Sequence, residues 1–301
     1  MPIHPEVAKV LATLPAPSAV LDPVAMRAGE ASHVPPLGDR LPIASVEDMS
    51  AGDVPVRIYA DSTDASGVIV YFHGGAFFLG SLDTHDHVAR HLARATGLKV
   101  VSVDYRLAPE NEFPAGLHDC YAAVRWVQEN GEKLGWDGST LAVAGDSSGG
   151  TFAAVVAAMA TDDGYDAVTH QILFYPSLDL DFDETRYPSL VENATGYGLE
   201  TAGLKPFNAF YLDSGADPDN PLVSPIKRTS FEGLPKALVV TAEFDPLRDE
   251  GERYAQRLRE AGIEVNAVRW EGANHGFVQN FSQIPEFAQV FETITEFLRE
   301  G

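Results

Sequence analysis

The stretch "LAVAGDSSGGTFAAVVAAMA", residues 141–160, leaves a chain few ways to fold. Its first six residues form a continuous apolar run, as a strand buried on both faces requires. Its last ten form an apolar helix. A buried strand that passes through a tight corner into a buried helix is the repeating unit of a parallel α/β sheet. The corner is Gly145-Asp146-Ser147-Ser148-Gly149, which fits G-x-S-x-G with Ser147 at the centre. Ser148 cannot be the central serine, because Asp146 stands two residues before it. The glycines keep bulk away where strand and helix cross. The Ser147 hydroxyl then projects at the helix N-terminus, where developing negative charge is favoured.

The rest of the chain repeats this alternation. "IASVEDMSA" and "DVPVRIYA" predict two strands joined at Gly52-Asp53. "GVIVYFHGG", "LKVVSVDY", "HQILFYPS", "KALVVTAEFDPL" and "EVNAVRWEG" predict further strands. "DTHDHVARHLARATG" predicts a helix ending at Gly97, and "PAGLHDCYAAVRWVQENGEKLG" one long helix. "DEGERYAQRLREAG" and the amphipathic "PEFAQVFETITEFLRE" predict two more. The expected fold is α/β, a mostly parallel central sheet with helices on both faces. Such sheets place their sites at the carboxyl ends of the strands. The alternation fails over residues 178–234, a stretch too long for a plain loop, so an insertion with its own helix is expected there. The predicted division is an N-terminal arm (1–45), a core (46–177), the insertion (178–234) and the rest of the core (235–301).

Charge excludes several partners. The chain carries 44 acidic against 21 basic residues, a net charge of -23. Nucleic acid and anionic membranes would repel it. Only six of the basic residues are lysine, and a Lys-poor, acid-rich surface suits a protein kept soluble in salt. Cys120 is the sole cysteine, so no internal disulfide forms and a reducing compartment is expected. "MPIHPEVAKVLATLPAP" lacks the pattern of a signal peptide. No apolar run approaches the ~20 residues of a membrane helix. The expectation is a cytoplasmic protein.

A serine nucleophile needs a base, preceded in sequence by an acid. Only His170 and His275 follow Ser147. His170 opens a strand at the wrong end of the sheet, so the base is assigned to His275, in the loop "EGANHGF". The acid is assigned to Asp245, in the loop beyond "VVTAEF", with Glu243 as the weaker rival. Asp249 and Glu250 read as first-turn helix residues. Oxyanion donors are expected from the amides of Gly74 and Gly75 in "YFHGGAFFLGS", with that of Ser148. His73 is expected to hold that loop. His87 and His91 have the i, i+4 spacing of metal ligands, with Asp83 nearby, but the plainer reading is an exposed helix surface, and no metal is expected. Asp-rich "SLDLDFDE" lacks the glycine and distal glutamate of a calcium loop. The aromatics Phe77, Phe78, Tyr197, Phe207, Phe210 and Tyr211 either line a substrate pocket or pack the interior.

"HGGAF", "GDSSGG", "DPLRDE" and "NHGF" stand in one order, with "DYRLAPENEFPA" between the first two. Together they resemble the hormone-sensitive lipase-like family of α/β-hydrolases, the bacterial family IV esterases, over at least Val68 to Phe277. The resemblance implies an α/β-hydrolase fold with a mobile helical cap built from the arm and the insertion. It implies a serine carboxylesterase acting on short- to medium-chain acyl esters, without cofactor. The family's nucleophile falls on Ser147, its acid on Asp245, its base on His275, and its oxyanion donors on Gly74, Gly75 and Ser148. Ser148 stands where the family usually has alanine. A homodimer through the edge of the last strand is a common arrangement in such a family. Two other readings stay open. One is an amidase or deacetylase with the same triad. The other is a non-catalytic small-ligand-binding protein, which would have lost triad residues; none is missing here.

Overall fold

The computed structural model describes residues 2–14, 21–62 and 65–299; residues 15–20 of the expected arm lie outside the described residues. The arm carries two helices, α1 (Pro5–Leu11) and α2 (Pro23–Ala31). Asp22 caps α2 by accepting the amides of Val24 and Ala25. The hairpin follows as β1 (Ser45–Ala51) and β2 (Val54–Ala60), turning at Gly52, whose φ is +66°.

The alternating part then runs through β3 (Val68–Phe72), α3 (Asp86–Thr96), β4 (Lys99–Val103), α4 (Ala115–Glu129), α5 (Gly131–Leu134), β5 (Leu141–Asp146), α6 (Ser148–Asp162) and β6 (His170–Phe174). Residues 178–234 contribute α7 (Ser189–Glu192), α8 (Thr201–Leu212) and a 3-10 turn at Pro225–Lys227, with no strand. The chain closes with β7 (Lys236–Phe244), α9 (Arg248–Glu260), β8 (Val265–Asn274), α10 (Phe277–Asn280) and α11 (Pro285–Arg299).

The eight strands form one sheet in the order β1-β2-β4-β3-β5-β6-β7-β8. β2 is antiparallel to both neighbours, and every pairing from β4 to β8 is parallel. Successive side chains of a strand point to opposite faces. Val68, Val70 and Phe72 of β3 therefore join one core, with Leu117 of α4, Phe152 of α6 and Tyr254 of α9. Ile69 and Tyr71 join the other, with Leu92 of α3 and Ile294 of α11. Leu204 and Tyr211 of α8 belong to the first core, so the insertion is packed onto the sheet domain.

One expected helix is two. The run from Pro114 to Gly135 breaks at Asn130, whose side chain folds back onto the Trp126 carbonyl. Gly131 lies against Trp136, where a Cβ would come within 2.5 Å of the ring. The indole leaves room only for glycine at 131, a constraint that no periodicity announces.

Candidate active site

β5 ends in a tight corner at Ser147. Ser147 has φ 54° and ψ -119°, a region that costs a non-glycine residue about 1–3 kcal/mol. The conformation persists because neighbours hold it. The Ser147 amide donates to the Phe174 carbonyl at 2.9 Å, and its own carbonyl accepts from Thr151 and Ser177, each at 3.2 Å. A Cβ on Gly149 would lie 2.0 Å from the Phe72 carbonyl, so only glycine lets α6 cross this close to β3.

The structure brings Ser147, His275 and Asp245 together. His275 sits in the turn directly after β8. Its Nε2 is 3.0 Å from Ser147 Oγ and its Nδ1 is 2.8 Å from Asp245 Oδ2. Asp245 is fully buried, whereas the His275 side chain keeps some exposure. The second Asp245 oxygen accepts the Leu247 amide at 2.8 Å, which fixes the carboxylate plane. Asn193 of the insertion donates to the Asp245 carbonyl at 3.0 Å. The edge of Tyr175 packs against the His275 ring. The rival acid, Glu243, is turned to the Gly272 amide at 2.8 Å. His170 opens β6, at the far end of the sheet.

The loop after β3 corrects one expectation. The Gly74 amide donates to Asp146 Oδ1 at 2.9 Å, so this N–H is committed within the protein. A Cβ on Gly74 would lie 2.5 Å from the same carboxylate. The first glycine thus makes room for Asp146. Among the described residues, the amides of Gly75, Ala76 and Ser148 have no acceptor. The open amide of Ala76 is not among the donors expected from the motif. Its only signal was its place after two glycines.

His73 holds the loop, as expected. Its Nδ1 is 2.9 Å from the Gly74 carbonyl oxygen, and the Tyr105 hydroxyl donates to the His73 carbonyl at 2.7 Å. Burial, with His85 stacked beside it, pushes the His73 pKa down to about 3, so the ring is neutral. Burial alone would raise the Asp146 carboxyl. Nearby His85 and the hydrogen bond from Tyr71 outweigh it and hold Asp146 below the usual range.

The arm reaches the same turn. Arg27 of α2 donates to the carbonyls of Phe78 and Ala108 and pairs with Glu110 through two bonds. Glu30 accepts the Gly80 amide at 3.0 Å. No local pattern marks either residue.

The candidate pocket aromatics divide. Phe77 stacks on Tyr211, centroids 4.0 Å apart, and Phe78 packs with Phe207 and Phe210. Tyr197 stands apart over Phe244, on the His275 side, where its carbonyl accepts from Asn274. His87 and His91 are not an exposed surface. His87 Nε2 lies 2.5 Å from the Gln279 carbonyl, and His91 stacks on Phe291 of α11. No group of three or more metal-ligating side chains occurs among the described residues.

The family model of the alpha/beta hydrolase fold matches residues 69–279, from β3 through the His275 turn into α10. The chain belongs to this family. Within it, the α/β-hydrolase is similar to the carboxylesterase NlhH of Mycobacterium tuberculosis, 39% identical over 95% of this chain and 92% of that protein. It is 37% identical to an arylesterase of Saccharolobus solfataricus, over 79% of this chain and 78% of that one. A solved hyperthermophilic esterase from Pyrobaculum calidifontis superposes with a TM-score of 0.90 at 40% identity, covering 100% and 99% of the two chains. No helix among the described residues of this α/β-hydrolase is long and apolar enough to cross a membrane.

Proposed function

We infer that the protein is a serine carboxylesterase that hydrolyses short- to medium-chain acyl esters. The observation that carries this is the unbroken relay from Asp245 through His275 to Ser147, at 2.8 and 3.0 Å. Ser147 Oγ attacks the ester carbonyl carbon while His275 Nε2 takes its proton. Asp245 holds the ring tautomer and stabilises the imidazolium. The carbonyl π pair moves onto oxygen, and the amides of Gly75, Ala76 and Ser148 receive that oxyanion. Collapse breaks the ester C–O bond, and His275 returns the proton to the departing alcohol. Water, deprotonated by His275, then releases the acid from the acyl-enzyme. No step calls for a cofactor.

The arm and the insertion are assigned to a cap beside this site. Arg27 and Glu30 at the turn, and Asn193 at Asp245, support that assignment. Tyr197, Phe207 and Phe210, each half-buried, are assigned to the substrate pocket, whereas the burial of Phe77 and Tyr211 favours interior packing. A homodimer is proposed through β8, the last strand in sequence and one of the two edge strands of the sheet. The cytoplasm is the proposed compartment, in keeping with a single buried cysteine.

The rival chemistry is amide cleavage, which needs stronger protonation of the leaving group. Turnover of p-nitrophenyl butyrate against the matched butyryl anilide separates the two. The esterase reading expects kcat/KM for the ester to exceed that for the anilide by about a hundredfold or more. Equal or faster anilide cleavage would overturn it.

A further inference from the structure

We propose that the side-chain hydroxyl of Ser148 is a positioning group for the oxyanion turn, separate from the amide donor of the same residue. The proposal rests on the esterase reading. Ser148 is the first residue of α6 and is 1% exposed. Its Oγ accepts the Phe77 amide at 3.2 Å.

The segment it grips needs gripping. Ala76 and Phe77 have φ of 49° and 67°, two consecutive non-glycine residues in the left-handed region. Such a pair persists only where the surroundings over-determine it. The other restraints act on carbonyls of the turn or on amides outside it: Phe78 and Leu79 on the Gly75 carbonyl, Ala108 on the Phe77 carbonyl, Asp146 on the Gly74 amide and Glu30 on the Gly80 amide. Among the described residues, only the Ser148 hydroxyl holds the amide directly after Ala76. It thereby ties the Gly75 and Ala76 donors to the helix that carries the third donor. The Phe77 ring stacks on Tyr211 of α8, so the same bond joins the elbow, the turn and the insertion. With alanine at this position, the usual residue of the family that the motifs resemble, this bond has no acceptor.

The oxyanion exists only in the transition state and its intermediates, so loosening its donors lowers kcat and leaves substrate binding alone. The test is Ser148→Ala, a residue this fold accommodates, with p-nitrophenyl butyrate as substrate. Removing a whole oxyanion donor costs about 10²–10³ in kcat. A donor left in place but loosened should lose about tenfold, with KM within twofold of wild type. Affinity for a butyl trifluoromethyl ketone, whose adduct with Ser147 bears the oxyanion, should fall by the same factor. A merely structural role would lower the melting temperature and leave the ketone affinity of the folded enzyme unchanged. A kcat within twofold of wild type, or unchanged ketone affinity, would overturn the proposal while the esterase reading stands. An inactive wild type would instead remove the esterase reading, and this proposal with it.

Discussion

The carboxylate of Asp146 accepts the amide of Gly74 at 2.9 Å and, on the same oxygen, the hydroxyl of Tyr71 at 2.5 Å. It thus joins the residue before the nucleophile to the first glycine of the turn after β3. All these groups are buried, so an orphaned donor cannot turn to water. Asp146→Ala leaves an amide and a hydroxyl unpaired and should cost about 2–6 kcal/mol in urea unfolding, at about 1–3 kcal/mol for each stranded group. Asp146→Asn keeps an acceptor oxygen and should cost less than half as much. Equal losses for the two variants would contradict this account of the Gly74 contact.

Arg27 offers a second test, this time of the arm. Its guanidinium ties α2 to the Phe78 and Ala108 carbonyls and to Glu110. Arg27→Met keeps most of the apolar stem and removes the charged donors. Because the group is partly exposed, the loss should be modest, about 1–2 kcal/mol. The kcat for p-nitrophenyl butyrate should drop about threefold, since Phe78 follows the oxyanion turn directly. Unchanged kcat with reduced stability would confine Arg27 to a structural role.

Glu250 makes stability depend on pH. It is buried in α9, with one oxygen accepting the Leu178 amide at 2.7 Å. Burial pushes its carboxyl well above the usual glutamate value of 4.5. The folded chain therefore binds this proton more tightly than the unfolded one. Its contribution is fully present below pH 4.5 and is lost as pH rises from there toward the raised folded value. Glu250→Gln cannot ionise and should gain stability relative to wild type between pH 5 and pH 8. Urea unfolding of both proteins at the two pH values checks the sign, and a relative loss at pH 8 would contradict it.

The sheet and the proximity of the three candidate triad residues are legible in the sequence for physical reasons. Val68–Phe72 and Leu141–Asp146 are buried on both faces, so they read as unbroken apolar runs. Ser147 is framed by glycines that only a close strand–helix crossing demands. His275 was found because one of the two later histidines opens a strand at the wrong end. What stayed hidden depends on contacts distant in sequence. The acceptor of the Gly74 amide lies 72 residues on, so nothing local marked that N–H as spent. His87 and His91 share a helix face, but their spacing cannot say that Gln279 and Phe291 cover it. Asn130 breaks a helix whose apolar pattern continues past it. Arg27 and Glu30 look like ordinary polar residues of a short helix until the turn they hold is in view.

Ser147, activated by His275 and Asp245, is the proposed nucleophile. Steady-state turnover of p-nitrophenyl butyrate by Ser147→Ala tests it most directly, with the melting temperature as a check on folding. The expected result is an unaltered melting temperature and a kcat lower by about 10⁴-fold or more, the scale at which triad removal acts. A folded Ser147→Ala variant that keeps the wild-type kcat would contradict the account.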